Sequence, residues 1–125
     1  MFMRALVTGG AGFIGSHLID ALITSGYKVR VIDNLSSGKL EFIKTHIDSG
    51  KLEFQEGDMT SLSDVEAATK GIDCVFHLAA NPDIRLGTRV TDTDLKQGTI
   101  ATYNLLESMR INGVNKIVFA SSSVV

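Results

Sequence analysis

The 125-residue sequence has one cysteine, three scattered histidines, little net charge and no long apolar run. A single cysteine, Cys74, cannot form an internal disulfide, which fits a reducing cytoplasm. Lying within the apolar run Cys74-Val75-Phe76, it is expected to be packing rather than a reactive thiol. His17, His46 and His77 have no second cysteine or carboxylate at ligand spacing, so no metal site is expected. His77 ends an apolar run and reads as a core histidine with its hydrogen bonds met. A formal net charge of -2 gives no pull towards nucleic acid or an anionic membrane. Apolar stretches are far too short to span a bilayer. Between Arg4 and Thr8-Gly9-Gly10 stands only Ala5-Leu6-Val7, too short for a signal-peptide core. Repeats and low-complexity tracts are also missing.

What remains is a composition that is 44% hydrophobic and 21% charged, that of an ordinary soluble domain large enough to bury a core. Short β-like runs alternate with helical patterns. Strands are expected at Arg4 to Thr8, Lys28 to Ile32, Leu52 to Gln55, Cys74 to Leu78 and Lys116 to Ala120. The first helix should present Ile14, Leu18, Ala21 and Leu22 on one face and stop at Gly26. Leu40, Ile43 and Ile47 suggest a second helix, closed by Gly50. Ser63 with Glu66 forms a capping-box signature for a third, closed by Gly71. A longer helix is predicted from Asp92 to Arg110, with Ala101, Leu105, Leu106 and Met109 on one face as core or dimer-helix residues, and Gly113 just past its end. Strands separated by helices imply right-handed crossovers and a parallel sheet covered on both faces. The expected fold is therefore α/β, a doubly wound Rossmann-type sheet in the order 3-2-1-4-5. Ligand should bind where that order reverses, beside strands 1 and 4.

The first strand runs into Thr8-Gly9-Gly10-Ala11-Gly12-Phe13-Ile14-Gly15. Gly9 suits the tight turn, Gly12 lets a pyrophosphate approach the backbone, and Gly15 lets the helix pack closely. The diphosphate would sit over the helix N-terminus, held by free N–H groups and the dipole. A Walker P-loop is excluded because no Gly-Lys-Ser/Thr follows. Eighteen residues after Gly15 comes Asp33, placed to accept hydrogen bonds from both adenosine ribose hydroxyls of NAD. The alternative is a capping aspartate before the turn at Ser36-Ser37-Gly38. Gly57-Asp58-Met59 and Leu78-Ala79-Ala80 follow strands 3 and 4. Asp58 could accept from an adenine amino group or simply close a turn, and the small Ala79 and Ala80 allow a ligand against the backbone.

The series TGGAGFIGSHL, DNLSSG, GDM, HLAA, GTIATYNLLE and VFASSSVV, in this order and spacing, resembles the extended short-chain dehydrogenase/reductases. Within them it is most similar to the NAD-dependent epimerase/dehydratase family, and the resemblance covers the whole chain. It implies NAD as cofactor, with Phe13 and Ile14 giving backbone contacts to the pyrophosphate. It also implies Asp33, Asn34, Ser37 and Gly38 around the ribose, Asp58 and Met59 flanking adenine, and Leu78, Ala79 and Ala80 lining the cofactor's middle. The catalytic hydroxyl would be Ser122, between Ser121 and Ser123. The family's base, a tyrosine with lysine four residues on, is not in this sequence, since Tyr27 pairs with Val31 and Tyr103 with Glu107 at that spacing. On this resemblance residues 1–125 form an incomplete NAD-binding domain, inactive alone and without the substrate domain and last strands. The whole protein would take a nucleotide-sugar, a UDP-hexose, and dimerise through helix 92–112.

The resemblance has departures. Asp94 precedes Gly98-Thr99 where many members have Asn, and Ala80-Asn81-Pro82 stands where many sugar epimerases have Gly-Leu-Lys. Ser122-Ser123-Val124 replaces the Thr-Asp-Glu common in dehydratases. A dehydratase or reductase of the same superfamily, or a non-catalytic dinucleotide-binding module, are the alternatives.

Overall fold

The computed structural model describes residues 3–35, 40–78 and 99–119. Five parallel strands form one sheet: β1 (Arg4–Thr8), β2 (Lys28–Asp33), β3 (Leu52–Glu56), β4 (Cys74–His77) and β5 (Ile117–Phe119). Their order is β3-β2-β1-β4-β5, as the alternation of patterns predicts. Between them run α1 (Phe13–Thr24), a 3₁₀ turn (Leu40–Phe42), α2 (Lys44–Asp48), α3 (Leu62–Thr69) and α4 (Ala101–Asn112).

Period-2 alternation sorts the strand residues between two cores. Ala5, Val7, Val29, Val31 and Cys74 join Ile19, Leu22 and Ile43 on one face. Leu6, Ile32 and Val75 join Val65, Ala68, Leu105 and Met109 on the other. Both faces of the sheet are thus covered, which is why the central strands read as near-continuous apolar runs. Arg30 falls on the α3 face and would be costly there unpaired. Its guanidinium donates to the Ala68 and Lys70 carbonyls at the end of α3, at 2.9 and 2.7 Å, and to Glu53 at 3.2 Å. Among the described residues no helix is long and apolar enough to cross a membrane.

Several local expectations are corrected. The core face of α1 is Gly15, Ser16, Ile19 and Leu22, whereas Ile14 is 72% exposed and Ala21 is exposed too. Close packing at Gly15 rotates the helix so that its most apolar first-turn residues face outward. In α4, Leu105 and Met109 are buried but Leu106 is half exposed, because Asn104 and Ser108 occupy the inner face. The cap of α3 is Ser61, accepting from the Asp64 N–H at 3.4 Å, rather than Ser63. The Ser-x-x-acid spacing occurs twice here, and only the earlier serine is extended enough to cap. The second helical segment breaks at Ile43 (φ −125°, ψ 3°), which turns that side chain into the core and leaves Leu40 41% exposed. The part of the long helix expected before residue 99 lies outside the described residues.

Candidate functional site

The loop from β1 into α1 is built around glycine for two distinct reasons. Gly9 has φ +72°, which a side chain rarely adopts, and its N–H donates to the Ile32 carbonyl at 2.9 Å. Gly10 and Gly15 are required by close approach. A Cβ on Gly15 would lie 2.7 Å from the Gly10 Cα and the Gly9 carbonyl oxygen. One on Gly10 would lie 2.8 Å from both Val31 methyls. Gly15 therefore packs α1 against the turn itself, and Gly10 seats the turn on β2. Spacing along the chain assigns Gly10 no role, since only its contact with Val31 on the neighbouring strand reveals one.

The turn leaves the N-terminus of α1 bare. Gly12 is its N-cap, no side chain caps it, and no acidic residue stands in the first turn. First-turn N–H groups and the positive end of the dipole are thus available to an anion. Phe13 and Ile14 are 71% and 72% exposed on that turn, with the Phe13 ring edge-on to His17.

Asp33 ends β2 beside this turn. One carboxylate oxygen accepts the Ala11 N–H at 3.0 Å and the other the Leu35 N–H at 2.7 Å. Its main-chain carbonyl accepts the Gly57 N–H at 3.1 Å. Asp33 thus closes a local turn at Leu35 and also reaches the glycine loop. Each carboxylate oxygen has a second lone pair, so neither contact exhausts its capacity for ribose hydroxyls. Leu35 is the described non-glycine residue with positive φ, +61°, in a loop held by that same carboxylate.

Beyond β3 the Asp58 carboxylate is exposed and accepts from the N–H and hydroxyl of Thr60 at 2.8 and 2.7 Å. Met59, expected to flank adenine, is only 6% exposed, with its side chain in the α3/α4 core and its carbonyl accepting from the buried Asn104 amide at 2.9 Å. Beyond β4 the Leu78 N–H donates to the Thr8 carbonyl and hydroxyl. That hydroxyl also meets His77 Nδ1 at 2.7 Å, while Nε2 faces the Thr102 hydroxyl at 3.4 Å. Burial lowers the pKa of His77 from its ordinary value, so the imidazole is neutral near pH 7. It is the core histidine its position suggested.

Gly9, Gly12, Phe13, Ile14, Gly15, Asp33, Asn34, Asp58, Met59 and Leu78 therefore gather at the carboxyl ends of β1 to β4, where the strand order reverses. Ser37, Gly38, Ala79, Ala80 and Ser122 lie outside the described residues. Cys74 is buried on the opposite side of β4, its thiol pKa pushed up by burial and by the Asp73 carboxylate against the opposing Lys116. No group of three His, Cys, Asp or Glu side chains suited to a metal occurs among the described residues.

Residues 5–125 match the NAD dependent epimerase/dehydratase family. The chain belongs to that family. Its residues are 38% identical, over 96% of the chain, to a UDP-glucose 4-epimerase of Mycolicibacterium smegmatis, of which they cover 39%. Identity is also 38%, over 98% of the chain and 32% of the relative, to a 3 beta-hydroxysteroid dehydrogenase/Delta 5-->4-isomerase of Mycobacterium tuberculosis. The crystal structure of the UDP-glucose 4-epimerase of Thermus thermophilus, a complex with NAD, superposes with a TM-score of 0.86 at 38% identity. That match spans 96% of this chain and 38% of that one. The chain thus corresponds to less than two fifths of the length of these relatives, in the family's NAD-binding portion.

Proposed function

We propose that this chain is the cofactor-holding part of a UDP-hexose 4-epimerase. The observation that carries the cofactor side is the convergence of an uncapped helix N-terminus, a glycine-rich turn and Asp33 at the switch point of the sheet. The N–H groups of Phe13 and Ile14 would hold the pyrophosphate, and Gly9, Gly12 and Gly15 admit it. Asp33, with Asn34, Ser37 and Gly38, would take the adenosine ribose. The Asp58 carboxylate and the Met59 N–H would read the adenine edge. Leu78, Ala79 and Ala80 would line the middle of the dinucleotide. NAD, when bound, supplies a hydride acceptor that later returns the hydride to the sugar.

Ser122 would hydrogen-bond the sugar hydroxyl that loses its proton. A serine hydroxyl is too weak a base to take that proton unaided near neutral pH, and no Tyr-x-x-x-Lys pair occurs in these 125 residues. The exposed Tyr103 and Leu106 on the outer face of α4 support dimerisation through helix 92–112.

The test is conversion of UDP-galactose to UDP-glucose, assayed on the 125-residue chain and on a form extended to its relatives' length. The short chain should bind NAD weakly and show no turnover. The extended form should be active, and Ser122→Ala should lower its kcat by about 10²–10³-fold. Turnover by the short chain, or an unaffected Ser122→Ala enzyme, overturns these roles. A 3β-hydroxysteroid is the second substrate class, favoured by equal identity to the hydroxysteroid dehydrogenase. Oxidation of such a steroid by the extended form, without epimerisation, would select it.

A further inference from the structure

Asn104 lies on the inner face of α4, only 6% exposed, among Ala101, Leu105 and Met109. An amide there carries a desolvation cost that an aliphatic residue would avoid, so its partner matters. Its Nδ2 donates to the main-chain carbonyl of Met59 at 2.9 Å, across 45 residues of sequence. Met59 belongs to the loop after β3, at the carboxyl edge of the sheet.

The rest of that loop is fastened from its own side. The Gly57 N–H reaches the Asp33 carbonyl, and the Asp58 N–H reaches an Asp64 carboxylate oxygen at 3.0 Å. The Asp58 carbonyl accepts the Ser61 N–H at 2.9 Å. A trans peptide then directs the Met59 N–H away from Ser61 and the start of α3. What sets the peptide on the other side of Met59 is the Asn104 amide, together with the Met59 side chain anchored in the core.

We propose that Asn104 is a positioning residue for adenine recognition: from α4 it fixes the Met59–Thr60 peptide, whose N–H holds the Asp58 carboxylate at 2.8 Å, so that this carboxylate faces the base edge together with the Met59 N–H. This rests on the reading of Asp58 and Met59 given above. Asn104 touches no cofactor atom itself. It acts on selectivity, because two groups must be aligned at once for the edge to be read. The pyrophosphate cradle at α1 and the Asp33 carboxylate hang from β1 and β2 and do not depend on it.

The experiment compares NAD with nicotinamide hypoxanthine dinucleotide, which differs only at that base edge, by calorimetric titration of the purified protein and of Asn104→Leu. The unaltered protein should prefer NAD by about tenfold or more. Asn104→Leu, matched in size but without a donor, should bring the ratio close to one while binding the hypoxanthine dinucleotide as before. If Asn104→Leu does not fold, Asn104→Ser, whose hydroxyl is too short to span the gap, gives the same comparison. A folded variant that keeps the full preference, with only its melting temperature lowered, would show a merely structural asparagine and overturn the proposal. No preference in the unaltered protein would instead sink the adenine reading, and the proposal with it.

Discussion

The Asp33 carboxylate accepts the backbone N–H of Ala11 at 3.0 Å, so the residue that ends β2 also holds the glycine loop at the end of β1. In the proposed binding mode this one side chain would couple pyrophosphate and ribose binding. A 2′-phosphate within a few ångströms of that carboxylate would be repelled by about 4 kcal/mol per charge pair at 4 Å and an effective dielectric near 20, before solvent screening. NAD should bind about a hundredfold more tightly than NADP. Asp33→Ala should narrow that gap chiefly by weakening NAD, since it removes the ribose acceptor and loosens the loop. Calorimetry with both cofactors decides it, and equal affinities for the unaltered protein would refute the role.

Gly10 should be intolerant of even one methyl group. The atoms it would meet are both γ-methyls of Val31, a β-branched side chain with little rotamer freedom in a packed core. Gly10→Ala should destabilise the fold by about 1–3 kcal/mol, as overpacking does. Urea unfolding measures this. A midpoint unchanged from the parent would mean that the loop yields more readily than its contacts imply.

Two serines near the start of α3 should behave differently. Ser61→Ala removes the cap that receives the Asp64 N–H and should cost about 0.5–1 kcal/mol, the long 3.4 Å contact placing it at the low end. Ser63→Ala, inside the helix, should change stability by only a few tenths. The reverse ordering in thermal melts would restore the capping box at Ser63 and Glu66.

His77 should make the fold acid-sensitive. Burial lowers its folded-state pKa below the roughly 6.5 of an unfolded chain, so the unfolded state binds more protons at mildly acidic pH. Its contribution is complete above about pH 6.5 and declines as pH falls from there towards the folded-state value, with a slope of at most about 1.4 kcal/mol per pH unit. Urea melts between pH 7 and 5 should show this decline, and His77→Gln should flatten it. An identical slope in the variant would assign the acid sensitivity to other groups.

The strand order, the switch-point location and the glycine turn were legible because each follows from local periodicity and punctuation. Apolar runs of strand length separated by helical patterns leave few topologies, and a turn that leads from strand to helix needs glycine wherever φ is positive. Asp33 was legible too, by its distance from Gly15 at the end of a β-branched run. The facing of helices was less so. Ile14 falls with Leu18, Ala21 and Leu22 on the face read as apolar, and Leu106 with Leu105 and Met109 as core or dimer-helix residues. Yet packing at Gly15 turns Ile14 outward, and the inward Asn104 and Ser108 leave Leu106 half exposed.

What the sequence by itself determined is the α/β alternation, the glycine turn from strand to helix and the acidic residue that follows it, all properties of neighbouring residues along the chain. Only the tertiary structure decided that Gly10 must lack a side chain, that Asp33 holds the glycine loop, and that Asn104 reaches Met59. Those three relations join residues 21, 22 and 45 positions apart. Their physical basis is contact between elements brought together by packing, and no local pattern of polarity encodes which buried amide will meet which carbonyl.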